Sequence, residues 1–502
     1  MKNKFQKYSS IIFLCFAFFN VFACSSDNSA APEEAKPVSK TLTANLSNID
    51  FLVKGNVTNV TITANVKTWT ITSNVAWIQL SQASGTEGTS SVSITASENT
   101  TTETRTGTIT ISSSETTSVQ VSVSQVGTTP VVTLYPNYNT NPIAADATGM
   151  SSNAVELAAK MKLGWNIGNT LEASGGETAW GNPKVTKALI DMVKVNGFDA
   201  IRIPCSWNQY SNFTTAQIKT EWLDRVKQVV QYCVESNMYV IVNIHWDGGW
   251  LENNVTTAQK DANNAKQKAF WEQIATHLRD FDEHLLFAST NEPNVADATG
   301  MTVLNSYHQT FIDAVRSTGG KNAYRNLIIQ GPSTDIEKTN KFMTMLPTDK
   351  VPNRMMAEVH YYTPYQFCLM DKDADWGKMF YYWGAGNHST TDTARNSNWG
   401  EEADLDKFFL SMKTQFVNKG IPVILGEFGA IRRDLTGDAL ALHLKSRAAF
   451  LKYVVKQSKA NGLIPFYWDA GNLGTNTMSL FDRNNNTVYD SQALTALQDG
   501  LK

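Results

Sequence analysis

Eight short apolar runs, separated by amphipathic stretches across residues 149–502, constrain this chain more than any other feature. They are Leu163–Ile167, Ala200–Pro204, Tyr239–Ile244, Leu285–Ser289, Leu327–Gln330, Met356–His360, Val423–Glu427 and Ile464–Trp468. Each is nearly continuous in apolar residues rather than alternating, as expected of a parallel strand covered on both faces. Between them the spacing is helical. From Trp222 to Glu235, for example, Leu223, Val226, Val229 and Val230 fall on one helix face. Eight such units close into an α/β fold, the (β/α)8 TIM barrel, whose functional groups gather where the strands end.

Two of the runs deliver a glutamate at that point, in Thr290-Asn291-Glu292-Pro293 and in Leu425-Gly426-Glu427-Phe428-Gly429. A carboxylate ending a buried strand opens onto a mouth, and two of them can divide proton donation and nucleophilic attack. The other strand ends bring Asn166, Arg202, His245, Asn291, His360 with Tyr362, and Trp468. The longest interval, from His360 to Pro422, holds the aromatic-rich stretch Tyr365 to Trp399 and reads as an elaborated loop on the same face. A metal-dependent hydrolase built on His245, Asp247 and His360 lacks further ligands at the first strand, where Asn166 stands. No Gly-rich phosphate cradle follows Pro422 or Ile464, which argues against a phosphosugar enzyme. No cofactor and no metal are expected.

Ahead of the barrel the texture changes. Residues 1–23 carry Lys2, Lys4 and Lys7, then the apolar stretch Ile11 to Phe19, in the pattern of an export signal. That stretch is short for a bilayer span. Ala23-Cys24 resembles a bacterial lipobox, with Phe22 bulkier than its usual occupant, so Cys24 is the expected lipidation site. Residues 24–40 read as a flexible tether, rich in Ser, Ala, Pro, Glu and Lys. Residues 41–127 alternate polar and apolar in short runs, such as Val60-Thr61-Ile62-Thr63-Ala64 and Gly107-Thr108-Ile109-Thr110-Ile111, and read as a small Ig-like β-sandwich. Residues 128–148, with Pro130, Pro136 and Pro142, read as a linker lying along the next domain. The net charge is −3 with no long basic run, which leaves no case for nucleic acid. Of the five cysteines, Cys205, Cys233 and Cys368 fall in the barrel; an odd number leaves at least one free.

Two resemblances sharpen this. Trp69, Trp77-Ile78, Ser84-Gly85, Arg105-Thr106-Gly107 and Val123-Ser124-Gln125-Val126-Gly127 resemble the BACON domain, a small module found beside carbohydrate-active enzymes. It implies either a glycan binder or a spacer in which both tryptophans pack internally. The barrel resembles glycoside hydrolase family 5. The motifs are Asn166-Ile167-Gly168-Asn169-Thr170-Leu171-Glu172, Trp180-Gly181-Asn182-Pro183, Arg202-Ile203-Pro204, Asn243-Ile244-His245-Trp246-Asp247-Gly248-Gly249-Trp250, Asn291-Glu292-Pro293, His360-Tyr361-Tyr362 and Gly426-Glu427-Phe428-Gly429. The first two look most like subfamily 4, the endo-β-1,4-glucanases and xyloglucanases.

That resemblance implies Glu292 as acid/base and Glu427 as nucleophile, with Arg202 holding Glu427 ionised and with apolar surroundings and the negative charge of Glu427 keeping Glu292 protonated. Tyr362 then bonds the nucleophile, His360 lies near the acid/base, and Asn291 donates to the sugar 2-hydroxyl. Asn166 and His245 are expected to bind substrate and Trp468 to stack on it. Trp180, Trp207, Trp246 and Trp250 are weaker stacking candidates, each equally suited to a packing role. The expected activity is retaining, endo-acting hydrolysis of β-1,4-glucan, mixed-linkage glucan or xyloglucan. Mannan or xylan cleavage, or a non-catalytic glycan-binding lipoprotein, are the rivals. The expected partners are β-glucan or xyloglucan and, through lipid alone, a membrane. The chain is expected to be monomeric and to sit as a lipoprotein on the bacterial outer membrane, facing outward.

Overall fold

The computed structural model describes residues 38–128 and 133–502, and the chain divides into two compact units, Met1–Val132 and Thr133–Lys502. The expected signal, Cys24 and most of the tether lie outside the described residues.

In the first unit seven strands form one hydrogen-bonded network, centred on the long strand Val57–Ser73. That strand pairs antiparallel with Ser84–Ala96 along most of its length, and its end also pairs with Arg105–Ser113. The pairing register shifts between Ala64 and Thr68, an irregularity of the kind that bends a strand and lets a sheet close over its own core. The alternation read from sequence sorts as expected: Val60, Ile62, Val92, Ile94, Ile109, Ile111, Val121 and Val123 are buried. Trp69 belongs to that core, and Gly85 is small because any Cβ there would lie 2.2 Å from the Trp69 ring. Trp77 is partly buried, edge-on to Phe51 and under the Arg105 guanidinium. Both tryptophans therefore have packing roles.

The second unit is a closed barrel of eight parallel strands: Gly164–Ile167, Ala200–Ile203, Tyr239–Asn243, Leu285–Ala288, Leu327–Gln330, Met355–Tyr361, Val423–Phe428 and Leu463–Asp469. All eight sequence runs are barrel strands. Alternate residues divide between two apolar layers. Ile201 and Ile203 face the surrounding helices, while Ala200, Ile241, Leu286, Ile328, Met356, Ile424 and Phe466 fill the interior with Leu157 and Met161. Helix Thr220–Glu235 buries Leu223, Val226, Val229, Val230 and Cys233, the stripe expected from its spacing. Cys205, Cys233 and Cys368 are all buried and unpaired.

The barrel unit begins earlier than residue 149. Ile143–Ala145 pairs with Gly319–Gly320, and the Tyr138 N–H donates to Glu272 at 3.0 Å while its hydroxyl reaches the Thr215 carbonyl at 2.6 Å. The later part of the expected linker is thus a fixed part of this unit.

Candidate active site

The inward-facing position above Ala200 on the second strand is Arg202, and it is fully buried. Its Nη1 donates to Glu427 Oε1 at 2.8 Å and to Asn166 Oδ1 at 3.0 Å, and its Nη2 donates to Asn291 Oδ1 at 2.7 Å. Its Nε lies 3.0 Å from Glu358 Oε1, an ion pair lacking hydrogen-bond alignment. One guanidinium therefore ties together the first, fourth, sixth and seventh strands.

Glu427 and His360 sit where the pairing register of the sixth and seventh strands shifts, between Val359 and His360 and between Leu425 and Phe428. Such irregularities re-aim side chains at barrel rims. Gly426 is required below them, since a Cβ there would lie 2.1 Å from Glu358 Oε1. The Glu427 side chain is 8% exposed and accepts from the Tyr362 hydroxyl at 3.0 Å. The Glu292 side chain is 41% exposed, and its Oε1 lies 2.7 Å from His360 Nδ1. One carboxylate oxygen of each glutamate lies within 4.8 Å of the other. That is the close spacing of a double-displacement pair rather than the wider gap that admits a water between them.

His360 Nε2 faces Glu358 Oε1 at 3.2 Å. Glu358 is wholly buried, paired with Arg202 and bonded by Gln330 Nε2 at 2.5 Å; burial resists its ionisation, but the charges of Arg202 and His360, with the His360 and Gln330 hydrogen bonds, keep its carboxyl below the ordinary value. An ionised Glu358 fixes the proton on His360 Nε2 and turns Nδ1 toward Glu292. Burial alone would depress the imidazole, but Glu427, Glu292 and Glu358 surround it and push it up to about 10. Burial also resists ionisation of Glu292, yet the hydrogen bond and charge of His360 prevail and hold it below its usual value. Glu427 shifts the other way: its burial outweighs His360 and Arg202, and the charge on Glu292 adds to the rise.

The setting of Glu292 differs from the one expected from sequence. Glu292 is not in apolar surroundings; it shares a proton with an imidazolium and opens to solvent. With His360 raised and Glu292 lowered, the free protein keeps a proton on the imidazole, one hydrogen bond from Glu292.

The other candidates divide. Asn166 is corrected: it is fully buried, its Oδ1 taken by Arg202 and its Nδ2 by the Gly426 carbonyl at 2.9 Å, so it supports the guanidinium and offers nothing to a substrate. Trp207 is likewise buried, donating to the Asn243 carbonyl at 2.8 Å. Trp250 is half-buried, its N–H on Asp247 at 2.8 Å, its ring edge-on to Phe270 and beneath Lys266, so packing accounts for it. Asp247 itself also accepts from Ser206 and from the Trp207 and Asn208 N–H groups, which makes it an anchor of this loop.

His245 and Trp468 are partly exposed and stack nearly parallel, with centroids 5.8 Å apart and planes at 13°. A Cβ at Gly168 would lie 2.7 Å from the Trp468 ring, so the glycine seats it. Burial, Arg202 and His360 hold the His245 imidazole well below its usual value, hence neutral. With Asn243 Nδ2 3.3 Å from its Nδ1, the Nε2–H remains free to donate. Trp180 and Trp246 are 40% and 43% exposed.

Sequence reasoning passed over Glu358, Gln330 and Glu252. The signal for the first was present: a charged residue inside a buried strand requires a partner. Gln330, at the one strand end that had suggested nothing, accepts from the Thr290 N–H at 2.9 Å while donating to Glu358.

Comparison with known proteins agrees with this constellation. Residues 166–474 match the family described as cellulase, glycosyl hydrolase family 5, and residues 67–125 match BACON, described as a putative N-terminal binding domain. A xyloglucan-specific endo-β-1,4-glucanase of Bacteroides ovatus is 38% identical, over 96% of both chains. Endoglucanase A of Paenibacillus barcinonensis is 35% identical, over 73% of this chain and 94% of its own. A Bacteroides ovatus family 5 xyloglucanase solved with a XXXG heptasaccharide superposes with a TM-score of 0.68 at 37% identity, covering 92% of this chain and all of that one. A broad-specificity subfamily 4 endoglucanase from Clostridium acetobutylicum gives a TM-score of 0.60 at 29% identity, covering 69% and 99%. The chain belongs to glycoside hydrolase family 5 and carries a BACON domain.

Proposed function

We propose that this glycosidase cuts β-1,4-glucan internally and with retention, with xyloglucan as the preferred polymer. The observation that carries it is the pair Glu292 and Glu427, with oxygens within 4.8 Å of each other and opposite supports. Glu427, oriented by Arg202 and Tyr362, attacks the anomeric carbon, while the proton held between His360 and Glu292 passes to the leaving glycosidic oxygen. A sugar filling the cleft desolvates Glu292 and moves that proton from the imidazole onto the carboxylate. Water, deprotonated by Glu292, then releases the covalent glycosyl group from Glu427. Asn291 has a second Nδ2 hydrogen for the 2-hydroxyl, and Trp468 with neutral His245 offers a flat face and a donor to an equatorial sugar.

The preference for xyloglucan rests on the near full-length similarity to a xyloglucan-specific relative. Viscosity of soluble xyloglucan should fall well before much reducing sugar appears, with kcat/KM above that on carboxymethylcellulose. Monosaccharide release from chain ends would refute endo action, and activity confined to mannan or xylan would refute the glucan reading.

The signal-like residues 1–23 and the Ala23-Cys24 pair support an outward-facing lipoprotein on a bacterial outer membrane. Membrane fractionation of Cys24→Ala should find the protein released, and complete retention would overturn the lipid anchor.

A further inference from the structure

The geometry points to Glu252 as a positioning residue for the acid side of the reaction: it fixes Asn291 and Glu292 in place and, by its charge, favours the proton on the Glu292–His360 pair. It lies beyond the loop that Asp247 anchors. Its Oε2 accepts from the Glu292 backbone N–H at 3.0 Å and from Asn291 Nδ2 at 3.2 Å, and its own carbonyl accepts from the Asn294 N–H at 2.8 Å. Three hydrogen bonds from one residue thus hold residues 291–294, the segment that follows the fourth strand.

The consequence for Asn291 is orientation. A guanidinium donates to its Oδ1 and a carboxylate accepts from its Nδ2, so the amide has one sense only, and its second Nδ2 hydrogen is aimed by elimination at whatever occupies the cleft. Both bonds fall on the one oxygen Oε2, so Glu252→Gln can keep them through its amide oxygen while carrying no charge.

No ion pair joins Glu252 to a cation among the described residues. The charged groups that bear on it are Glu292 and Glu427, and Arg202 reaches it only through Asn291. On Glu292 the largest charge effects come from His360, Arg202 and Glu358, and its Coulomb interaction with Glu252 is mutual. Burial, with the Glu292 charge behind it, raises the Glu252 carboxyl to about 7, so it ionises across the neutral range. An ionised Glu252 disfavours a second negative charge on Glu292 and so retains the catalytic proton to higher pH.

This inference rests on Glu292 as the acid/base, and the test separates the two. In the full chain, Glu252→Ala should lower kcat on soluble glucan by roughly tenfold to a hundredfold with KM changed less than about twofold, a part of what a general acid supplies. The loss should be much smaller on an aryl glycoside whose leaving group needs little protonation. Glu252→Gln should recover most of kcat at acidic pH while the alkaline limb of kcat/KM moves to lower pH by about one unit, the scale of one like charge nearby. A purely structural role would lower both substrates alike and leave the limb in place. That result, or a Glu252→Gln profile superimposable on wild type, overturns the inference. Should Glu252→Ala not fold, Glu252→Gln decides alone. Full activity in Glu292→Gln would instead remove the acid/base assignment, whatever Glu252 does.

Discussion

Each unit of this protein is organised around an arginine network, and the two are built on opposite principles. In the β unit, Arg105 donates to Gln125 Oε1 at 2.9 and 2.8 Å and to the Ser97 and Glu98 carbonyls. Gln125, fully buried, donates in turn to the carbonyls of Leu52, Val53 and Ser97. Its acceptors are neutral, and it stitches strand ends together. In the barrel, Arg202 faces two carboxylates, an imidazole lies between three, and one member of the set, Glu292, opens to solvent. A structural network saturates its polar groups against the backbone. A catalytic one leaves an excess of charge and a shared proton, held in place by residues that cannot relax.

The largest effect that could break this contrast is removal of either strand-end glutamate. Glu427→Gly should lose at least about a thousandfold in kcat, since residues acting as one unit fail together. Azide, which fits the vacated space, should restore turnover of an activated glycoside with inversion. Glu292→Ala with azide should give a product of retained configuration, because the nucleophile is intact and azide intercepts the glycosyl-enzyme. Near-wild-type activity in either variant would show that the unbalanced network is not the reaction centre.

A middle-sized effect lies in pH. His360 is raised to about 10 in the folded protein from an ordinary value near 6.5, so its charge stabilises the fold fully below about 6.5 and that gain is lost as pH rises towards 10. Glu358 is depressed, so its contribution is present above its ordinary value of 4.5 and is lost as pH falls below it. Thermal melts of wild type and His360→Asn should therefore differ most between about pH 5 and 6.5 and converge toward pH 10. A difference that is flat across that range would mean the imidazole carries no proton in the folded state and that the site is as charge-neutral as the Arg105 network.

The contrast was only partly legible in the sequence. Strand positions were, because continuous apolar runs at regular spacing have few alternatives, and so was the placement of Glu292, Glu427, Arg202, His360 and Tyr362 at strand ends. What a residue at a strand end faces was not. Asn166 reads as polar at a mouth, yet it points under the guanidinium; Trp207 reads as an aromatic near the cleft, yet its ring is core. Proton distribution was least legible of all. Glu427, Glu292 and Glu358, two residues away on the same strand, together charge the His360 imidazole, and the imidazole in turn lowers Glu292. A chain of through-space couplings leaves no periodic trace in sequence. Glu252 shows the same limit, since its partners lie about forty residues away and its own neighbourhood reads as an ordinary loop.

The smallest expected effect on catalysis tests the other side of the contrast. Deleting residues 41–127 removes the whole Arg105–Gln125 network together with the core around Trp69, but none of the groups that touch Glu292 or Glu427, all of which lie between Asn166 and Trp468. The barrel closes on itself through the pairing of its first and eighth strands and carries its own two apolar layers, so it has what a domain needs to fold alone. Turnover of soluble glucan by residues 133–502 should stay within about twofold of the full chain, because nothing that sets the proton balance at Glu292 has been removed. If Trp69 and the partly buried Trp77 of the β unit are only structural, affinity for soluble glucan should be equally unchanged. A folded, isolated barrel with markedly reduced kcat would show that the saturated network contributes to the reaction, and a selective rise in KM would make the β unit a glycan binder rather than a spacer.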